Sequence, residues 1–341
     1  MTKIFVPQPI PQVAVERMRK LGAVTVFPHL DRQITKKELI EAVGDQDILF
    51  AVGDIPYDAD VIDAAKQLKF ITAMHGAATF VDFAAATRRN VPVAGIPYRL
   101  ILETTAEFTF ALLIATAWRM PEADRFLREG KWAQNQSMAF EGTRLHGNTL
   151  GIAGMGRIGQ MVAYRAAACR MKILYSKRTQ LSTAEEIALG GAEFRSLEEV
   201  FSQSDFVVVT LPLTNETKGA VNERLISLMK PNAIFINTSR GAVVDEAALE
   251  KALREGRIRG VGLDVYQHEV PHLNPGPSEG FKSLPNVVFT PHIGSAGIQT
   301  REEMAHHTVE NIERFLAGER PLLVFNPEVY GEAPIKHERL S

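Results

Sequence analysis

The sequence predicts an α/β protein made of two doubly wound parallel-sheet domains with a cleft between them. Short β-rich runs alternate with helical patterns along almost the whole chain, which is typical of parallel sheets with helical crossovers. The alternation stops after about residue 100 and begins again near residue 149. A length of 341 residues also suffices for two domains of roughly 150 residues each. We expect residues 1–100 and 292–341 to form one domain and residues 101–291 to form a second, inserted domain.

The first series of elements fills the first hundred residues. Its predicted strands are "KIFV", "AVTVF", "DILFAV", "FITA" and "VPVAG". Its predicted helices are "PQVAVERMRKL", "TKKELIEAV", "YDADVIDAAKQ" and "VDFAAATRR". Strands and helices of this length in strict alternation form a complete doubly wound unit.

The second series begins after a long apolar helix and a polar connector, "FLREGKWAQNQSMAFEGTRLHGN". The helix around 105–118 contains a glutamate and is shorter than the roughly 20 residues that span a bilayer, so it predicts a buried helix. The predicted strands that follow are "TLGIAG", "MKILYS", "FVVVT", "AIFIN", "GVGLDV" and "VVFT". The stretch "HEVPHLNPGPSEG" is rich in proline and glycine, which predicts a loop.

Composition excludes several classes of function. The net charge of −2 and the lack of a basic tract argue against a nucleic-acid partner. The one cysteine, Cys169, excludes an intrachain disulfide and fits a reducing compartment. The N-terminus has neither an apolar core segment nor a cleavage site of a secretory signal, so we expect a cytoplasmic protein. No Cys, His and carboxylate cluster has the spacing of a metal site.

A glycine-rich turn predicts dinucleotide binding. Gly154, Gly156 and Gly159 stand in the spacing G-x-G-x-x-G, after an apolar strand and at the start of a helix. The first glycine permits the tight turn, the second lets backbone N–H groups approach a pyrophosphate, and the third lets the helix pack on the strand. The helix N-terminus adds a partial positive charge for the phosphates. A purely structural turn is the alternative.

The end of the next strand indicates which dinucleotide is bound. An NAD site usually has an acidic residue there for the ribose 2′-hydroxyl, about 20 residues after the glycines. This chain has Ser176, Lys177, Arg178 and Thr179 instead. Two cations and two hydroxyls suit a 2′-phosphate, so the sequence favours NADP(H) over the alternative cofactor NAD(H). A solvated basic turn remains the alternative.

Four residues that follow later strands predict chemistry on a carbonyl. Arg240, Asp264, Glu269 and His292 come after strands whose carboxyl ends line the ligand crevice of a doubly wound sheet. An arginine can hold a carboxylate and a keto oxygen with its fork of donors. A histidine can exchange the hydroxyl proton while hydride moves to or from the cofactor, and a glutamate on its other nitrogen favours the protonated ring.

These motifs resemble those of the D-isomer-specific 2-hydroxyacid dehydrogenases, in particular the glyoxylate/hydroxypyruvate reductase branch. The resemblance extends from about residue 45 to about residue 320. It is strongest in "ETTAEFTFALLIATAWRMPEADRFLREGKW", "GMGRIGQ", "LPLTNETKGAVNERLISLMKPNAIFINTSRGAVVDEAAL", "GLDV" and "TPHIGSA". It implies a flavodoxin-like substrate-binding domain, an NADP-binding Rossmann domain, a homodimer in which the helix around 105–118 contributes to the interface, and the catalytic residues Arg240, Glu269 and His292.

The resemblance also implies binding residues. The implied cofactor contacts are Gly154, Met155, Gly156, Arg157, Ile158, Gly159, Ser176, Lys177, Arg178, Thr179, Leu211, Pro212, Thr217, Thr238 and Asp264, of which Asp264 faces the nicotinamide amide. The implied substrate contacts are His75, Gly76, Ala77, Arg240, His292 and Ser295.

The substrate loop departs from the family pattern G-x-G-x-D-N-I-D. It reads "HGAATFVD" (75–82), with Ala77 at a usual glycine and Thr79 and Phe80 at the Asp-Asn pair. We expect the N–H groups of residues 76–78 to complete a carboxylate pocket. His75 either helps to bind an anionic or hydroxylated substrate or is an ordinary loop residue.

Together the motifs predict an NAD(P)H-dependent reductase that converts small 2-oxo acids such as glyoxylate or hydroxypyruvate to D-2-hydroxy acids. His292 is the expected acid/base and Arg240 the expected substrate ligand. One alternative is the same machinery on 2-ketogluconate, phosphite or 3-phosphoglycerate. Another is a dinucleotide-binding scaffold without turnover, like the corepressors of this family. Formate is disfavoured, because that branch pairs the histidine with glutamine.

Overall fold

The structure is a computed structural model that describes residues 1–53, 55–135, 138–269 and 276–334. The chain divides into two compact units, one of Met1–Ile101 with Ala296–Ser341 and one of Leu102–Ser295. Residues 292–295 thus belong to the second unit, whereas the sequence-based division ended that domain at 291. The reason is local: the Asp264 carboxylate accepts the N–H groups of Ile293 and Gly294 and holds this segment to the second unit.

The first unit contains a parallel sheet in which, among the described residues, five strands are ordered β2-β1-β3-β4-β5. The strands are β1 (Lys3–Val6), β2 (Ala23–Val26), β3 (Ile48–Ala51), β4 (Phe70–Ala73) and β5 (Val93–Ala94). The helices are α1 (Gln12–Arg19), α2 (Lys36–Val43), α3 (Ala59–Ala64), α4 (Phe83–Arg88) and the C-terminal α13 (Ile298–Leu316). This strand order is the flavodoxin-like one.

The core of the first unit explains why the end of the chain returns to it. Strands β3 and β4 are buried along their whole length. Met304, Val309 and Ile312 on one face of α13 pack into the same apolar cluster. Phe315 near the end of α13 stacks on Phe70 of β4, with ring centroids 4.5 Å apart.

The second unit contains a parallel sheet that shows seven strands in the described residues, in the order β12-β11-β10-β9-β6-β7-β8. The strands are β6 (Thr149–Ala153), β7 (Lys172–Ser176), β8 (Glu193–Phe194), β9 (Phe206–Val209), β10 (Ile234–Asn237), β11 (Gly260–Leu263) and β12 (Val287–Phe289). The helices are α5 (Leu102–Ala117), α6 (Met120–Arg128), α7 (Arg157–Ala168), α8 (Thr183–Ala188), α9 (Leu197–Gln203), α10 (Glu223–Ser227), α11 (Glu246–Arg254) and α12 (Glu279–Lys282). The order reverses at β6, between β7 and β9, which is where doubly wound sheets bind ligands.

The prediction of two parallel-sheet α/β units is confirmed, but several short elements escaped it. The sequence reasoning missed β8, α6, α8 and α12. β8 and α12 have only two and four residues. α8 forms because Ser182 and Glu185 make a capping box at its start. The predicted loop "HEVPHLNPGPSEG" includes residues 270–275, which lie outside the described residues. Its last two residues belong to α12, so the loop prediction is wrong there.

The most apolar helical segment, Tyr98–Ala117, is long and apolar enough to span a membrane by length and composition. In the fold its α5 part packs against α7 and against strands β10 and β11. Leu112, Leu113 and Ala117 lie in an apolar cluster with Ile234 and Ile236 of β10. These contacts are those of a core helix, as the sequence predicted.

Candidate active site

The glycine-rich turn connects β6 to α7 at the point where the strand order reverses. Gly154 has φ +103°, a conformation that strains any residue with a Cβ, and a Cβ there would lie 2.9 Å from the backbone of Thr210 and Leu211. A Cβ at Gly159 would lie 2.5 Å from the Gly154 carbonyl oxygen. A Cβ at Gly156 would meet no atom within 4 Å. The first and third glycines therefore close the turn, while the backbone at the second is open to a ligand.

The N-terminus of α7 can accept the phosphates of a dinucleotide. Its N-cap is Gly156, which has no side chain to satisfy the first N–H groups of the helix. Gly156 and Arg157 are exposed, and Ile158 is half-buried. Met155 differs: its side chain is buried, and its N–H donates to the Ser176 carbonyl oxygen at 3.3 Å, as the Gly154 N–H does at 3.0 Å. These two bonds join the glycine turn to the end of β7.

The basic turn after β7 lies directly beside the glycine turn because of these bonds to Ser176. Lys177 is half-buried, and Arg178 and Thr179 are exposed. In the described part of the chain neither cation forms an ion pair. Their charges act on carboxylates at a greater distance, Lys177 on Glu185 and Arg178 on Glu216. Two positive side chains without a carboxylate at ion-pair distance among the described residues can bind an anion such as a 2′-phosphate.

Hydrogen bonds of the buried Tyr175 and of Glu186 fix the path of this basic turn. The Tyr175 hydroxyl accepts the Leu181 N–H at 2.9 Å and donates to the Glu186 carboxylate at 2.7 Å. Gln180 donates to the same carboxylate at 3.0 Å. Burial, followed by the bond to Glu186, raises the pKa of the Tyr175 hydroxyl to about 12, so it stays protonated and keeps its bond to Glu186.

Four of the other predicted cofactor residues lie after β9 and β10, and Asp264 follows β11. Leu211 is half-buried and Pro212 is exposed, and the Thr217 hydroxyl donates to the Pro212 carbonyl oxygen. The Thr238 hydroxyl contacts that of Thr109 on α5 at 2.6 Å. Because Thr109 donates to the Thr105 carbonyl oxygen, Thr238 must be the donor of this pair. The Thr238 side chain thus faces α5.

Arg240 stands in a turn that begins at the end of β10. The buried Asn237 shapes this turn: its side-chain oxygen accepts the Ser239 N–H and hydroxyl, and its NH₂ donates to the Arg240 carbonyl oxygen. The guanidinium donates to the Ser239 carbonyl oxygen at 2.7 Å and is exposed. No carboxylate of the described residues pairs with it, so its remaining donors can bind an anionic substrate.

Glu269 and His292 form a hydrogen-bonded pair. His292 Nδ1 lies 2.9 Å from one carboxylate oxygen of Glu269, and 44% of the His292 side chain is exposed. The other oxygen of Glu269 accepts the Tyr266 N–H at 3.0 Å. A carboxylate at Nδ1 places the proton of the neutral ring there, which leaves Nε2 on the opposite side to exchange a proton with a ligand.

The charges around His292 favour its protonated form. The hydrogen bond to Glu269 raises its pKa, burial opposes this, and the positive charge of Arg240 opposes it further. Arg240 and His292 are therefore near enough for the charge of one to act on the other. An imidazolium and a guanidinium whose charges act on each other suit a substrate that carries a carboxylate and a carbonyl oxygen.

The backbone at His292 is unusual. Its φ of +51° lies in the left-handed region, which costs energy for a residue other than glycine. Its N–H donates to the Asp264 carbonyl oxygen at 2.9 Å and to that of Thr290 at 3.1 Å. The fold thus holds the histidine in a strained conformation that presents its ring beside Glu269.

Asp264, which follows β11, binds the loop after β12 that carries His292. Its carboxylate accepts the Thr290 hydroxyl at 2.7 Å and the N–H groups of Ile293 and Gly294 at 2.9 Å each, and only 1% of the residue is exposed. Burial raises the pKa of this carboxyl, and the three hydrogen bonds oppose the shift. The sequence suggested a contact with the nicotinamide amide. The geometry adds a task that sequence did not reveal, which is to hold residues 290–294. Ser295, a predicted substrate residue, follows this segment and is half-buried.

The predicted substrate loop belongs to the first unit and is folded on itself. Nδ1 of His75 accepts the N–H groups of Ala77 at 3.0 Å and Ala78 at 3.2 Å. The sequence-based expectation was that the N–H groups of residues 76–78 face a substrate carboxylate. Two of these three donors instead bind an imidazole, because a histidine at position 75 reaches both. A Cβ at Gly76 would lie 3.2 Å from the Tyr98 ring, so that glycine permits a close approach.

Thr210 and Asn237 are two site residues that sequence reasoning missed. The Thr210 hydroxyl donates to the Gly154 carbonyl oxygen and thereby ties the end of β9 to the glycine turn. Asn237 forms the turn before Arg240, as described above. Both are small polar residues at the carboxyl end of a central strand, and this position was the available signal. In the described residues no group of His, Cys, Asp and Glu has the arrangement of a metal site.

Comparison with known proteins gives a consistent result. Residues 110–294 match the family model described as "D-isomer specific 2-hydroxyacid dehydrogenase, NAD binding domain". The chain is 42% identical to a glyoxylate reductase of Thermococcus kodakarensis, over 96% of this chain and 97% of that protein.

Two solved structures share the fold. One is an NADPH-dependent glyoxylate/hydroxypyruvate reductase from Sinorhizobium meliloti in complex with citrate, with a TM-score of 0.77, 28% identity, and 95% of this chain and 97% of that chain covered. The other is a glyoxylate reductase from Paecilomyes thermophila, with a TM-score of 0.75, 27% identity, and coverage of 96% and 99%.

Proposed function

Because the chain belongs to the D-isomer-specific 2-hydroxyacid dehydrogenases, we propose that it uses NADPH to reduce small 2-oxo acids, such as glyoxylate or hydroxypyruvate, to D-2-hydroxy acids. The observation that carries the proposal is the arrangement of three side chains in one unit. Glu269 holds the ring of His292 at 2.9 Å, and the charge of Arg240 acts on that same ring.

The residues divide the work on the substrate. Arg240 binds the carboxylate and the adjacent carbonyl oxygen with the donors that no carboxylate of the described residues occupies. His292, protonated at Nε2, donates a proton to the carbonyl oxygen as it becomes a hydroxyl, and its Nδ1–H stays on Glu269. Glu269 keeps the ring oriented and stabilises the imidazolium before the transfer. In the reverse direction the neutral ring takes the same proton back.

The residues present fit a nicotinamide dinucleotide. A Cβ at Gly154 or Gly159 would meet backbone at 2.9 and 2.5 Å, whereas Gly156 is open beside the exposed start of α7. Gly156, Arg157 and Ile158 are the proposed pyrophosphate ligands. When bound, the dinucleotide supplies the hydride that goes to the carbonyl carbon.

The preference for NADP(H) is proposed from the basic turn. Ser176, Lys177, Arg178 and Thr179 offer two hydroxyls and two cations that form no close ion pair with the described residues. A carboxylate in this turn would repel a 2′-phosphate. The remaining proposed cofactor contacts are Leu211, Pro212, Thr217, Thr238 and Asp264. For Thr238 this means its backbone, because its hydroxyl binds Thr109.

The roles of the two units are also proposals. The first unit serves as the substrate-binding domain, with His75, Gly76 and Ala77 as predicted substrate residues, and the second as the NADP-binding domain. We propose a homodimer, in the cytoplasm. Large apolar side chains at and beside α6 support the dimer, because each is about half exposed or more: Trp118, Met120, Leu127 and Trp132.

Steady-state kinetics test the proposal. Purified protein is assayed at 340 nm with glyoxylate, hydroxypyruvate, pyruvate and 2-ketogluconate, each with NADPH and NADH. We expect reduction of glyoxylate or hydroxypyruvate with NADPH preferred. His292→Ala should abolish turnover while NADPH binding persists. A wild-type protein that oxidises NADPH with none of these acids contradicts the proposal, and a preference for NADH contradicts only its cofactor part.

A further inference from the structure

Two separate segments carry Arg240 and Glu269, and the structure joins them. Arg240 lies in the turn between β10 and α11, whereas Glu269 lies in the loop after β11. The catalytic proposal requires the guanidinium and the carboxylate to keep a fixed relation, because one binds the substrate and the other orients the proton donor. Contacts between the two segments must provide this relation.

The first contact is a close backbone approach at Gly241, next to Arg240. A Cβ at Gly241 would lie 1.8 Å from the carbonyl carbon of Tyr266 and 2.3 Å from the Gln267 nitrogen. No side chain fits there. The backbone beside Arg240 therefore lies directly on the backbone of the loop that leads to Glu269.

The second contact is a hydrogen bond from the same loop to Glu246. Glu246 is the first residue of α11, and its carboxylate accepts the Gln267 N–H. The preceding N–H, that of Tyr266, donates to Glu269 itself at 3.0 Å. Two successive N–H groups of one loop are thus bound by two carboxylates, one from the Arg240 side and one from the Glu269 side.

We propose that Glu246 is a positioning residue. It binds the loop 266–269 to the start of α11, directly after the turn that carries Arg240, and thereby holds Glu269 against His292. The effect on turnover rests on the proposed reductase function. The hydrogen bond between Glu246 and the Gln267 N–H is a property of the fold and does not depend on that function.

The environment of Glu246 supports a positioning task rather than an ion pair. Its side chain is partly buried, and no cation of the described residues pairs with it. Burial raises the pKa of Glu246 to about 7, the Gln267 N–H opposes this shift, and the negative charge of Glu269 adds to it. The contact with the Gln267 N–H needs only an acceptor oxygen, which the neutral amide of a glutamine side chain can also supply.

Three variants separate this role from alternatives. Glu246→Met keeps most of the side-chain volume but removes the acceptor, Glu246→Gln keeps an acceptor oxygen without charge, and Glu255→Gln is a control on an exposed residue at the other end of α11. In steady-state assays with glyoxylate and NADPH, we expect Glu246→Met to lower kcat by about 10- to 100-fold, the range for a misplaced catalytic group. KM for NADPH should stay within about twofold, since the glycine turn is untouched. Glu246→Gln and the control should stay within about threefold of wild type.

Two kinetic results would overturn the proposal. One is a Glu246→Met enzyme whose kcat stays within about twofold of wild type. The other is an equal loss in Glu246→Gln and Glu246→Met, which would assign the effect to charge instead of the hydrogen bond.

Two further measurements do not depend on turnover. NMR titration of His292 should show a lower pKa in Glu246→Met than in wild type, because a displaced Glu269 no longer raises it. Amide exchange of Gln267 in wild-type protein should be slow. An unchanged His292 pKa would reject the positioning role of Glu246 even if the protein reduces no 2-oxo acid. An unprotected Gln267 amide in the wild-type protein would reject it even if the variant fails to fold.

Discussion

Replacing Asp264 by Asn should loosen the loop that carries His292. The side-chain oxygen of Asn can still accept the Thr290 hydroxyl and the Ile293 N–H, but its NH₂ then faces the Gly294 N–H, donor against donor. A buried donor left unsatisfied costs about 1–3 kcal/mol, and each of the two remaining bonds loses about 1 kcal/mol on passing from a charged to a neutral acceptor. The penalty for burying the charge disappears in the variant and offsets part of this. The net local loss is about 3 kcal/mol.

Amide hydrogen exchange measures this loss directly. Since every 1.4 kcal/mol is a factor of ten, the N–H groups of residues 293 and 294 should exchange about 100-fold faster in Asp264→Asn. We expect kcat to fall by about 10- to 100-fold as His292 leaves its position. Asp205→Asn is the control: this carboxylate accepts the Thr149 N–H at 2.8 Å and Lys230 at 2.8 Å, far along the chain from His292. It should leave exchange at 293–294 unchanged. Exchange within about threefold of wild type in Asp264→Asn, with kcat unaltered, would refute the reasoning.

Three further predictions concern the proton donor and the cofactor. Glu269 raises the pKa of His292, so reduction persists below that raised pKa and is lost as pH rises through it. Glu269→Gln should therefore move the basic limb of the pH profile of kcat/KM for glyoxylate to lower pH. A limb that does not move would contradict the pairing of Glu269 with His292. Lys177→Ala with Arg178→Ala should raise KM for NADPH by about 10- to 100-fold and leave KM for NADH within about twofold, whereas an equal rise for both would reject a 2′-phosphate site. Gly159→Ala should weaken binding of both dinucleotides in fluorescence titrations, because the new Cβ would meet the Gly154 carbonyl oxygen at 2.5 Å.

The sequence predicted those parts of the molecule where only certain residue types can serve, either because the backbone conformation requires them or because the chemistry does. The glycine spacing needs a strand before it and a helix after it, and both occur around Gly154 and Gly159. The pairing of Glu269 with His292 could be inferred because an imidazole needs a partner at its second nitrogen, and the structure places the two 2.9 Å apart.

The remaining features depend on which groups meet in three dimensions, which spacing along a chain does not contain. Nothing in "HGAATFVD" alone says that His75 turns back onto Ala77 and Ala78. The contacts of Glu246 with the loop at Gln267 and of Thr238 with α5 likewise join segments that pack only after folding. Short elements such as β8 carry too few residues to show a period.

The central claim is that one imidazole beside Glu269 and Arg240 transfers the proton during reduction of a 2-oxo acid. The most direct measurement is a stopped-flow single turnover that follows the absorbance of bound NADPH at 340 nm after mixing with glyoxylate, for wild type and for His292→Asn across pH 6–9. The account predicts rapid loss of absorbance in wild type, slowing as pH rises, and a rate at least about 100-fold lower in His292→Asn with NADPH still bound. Equal rates in the two proteins would contradict it.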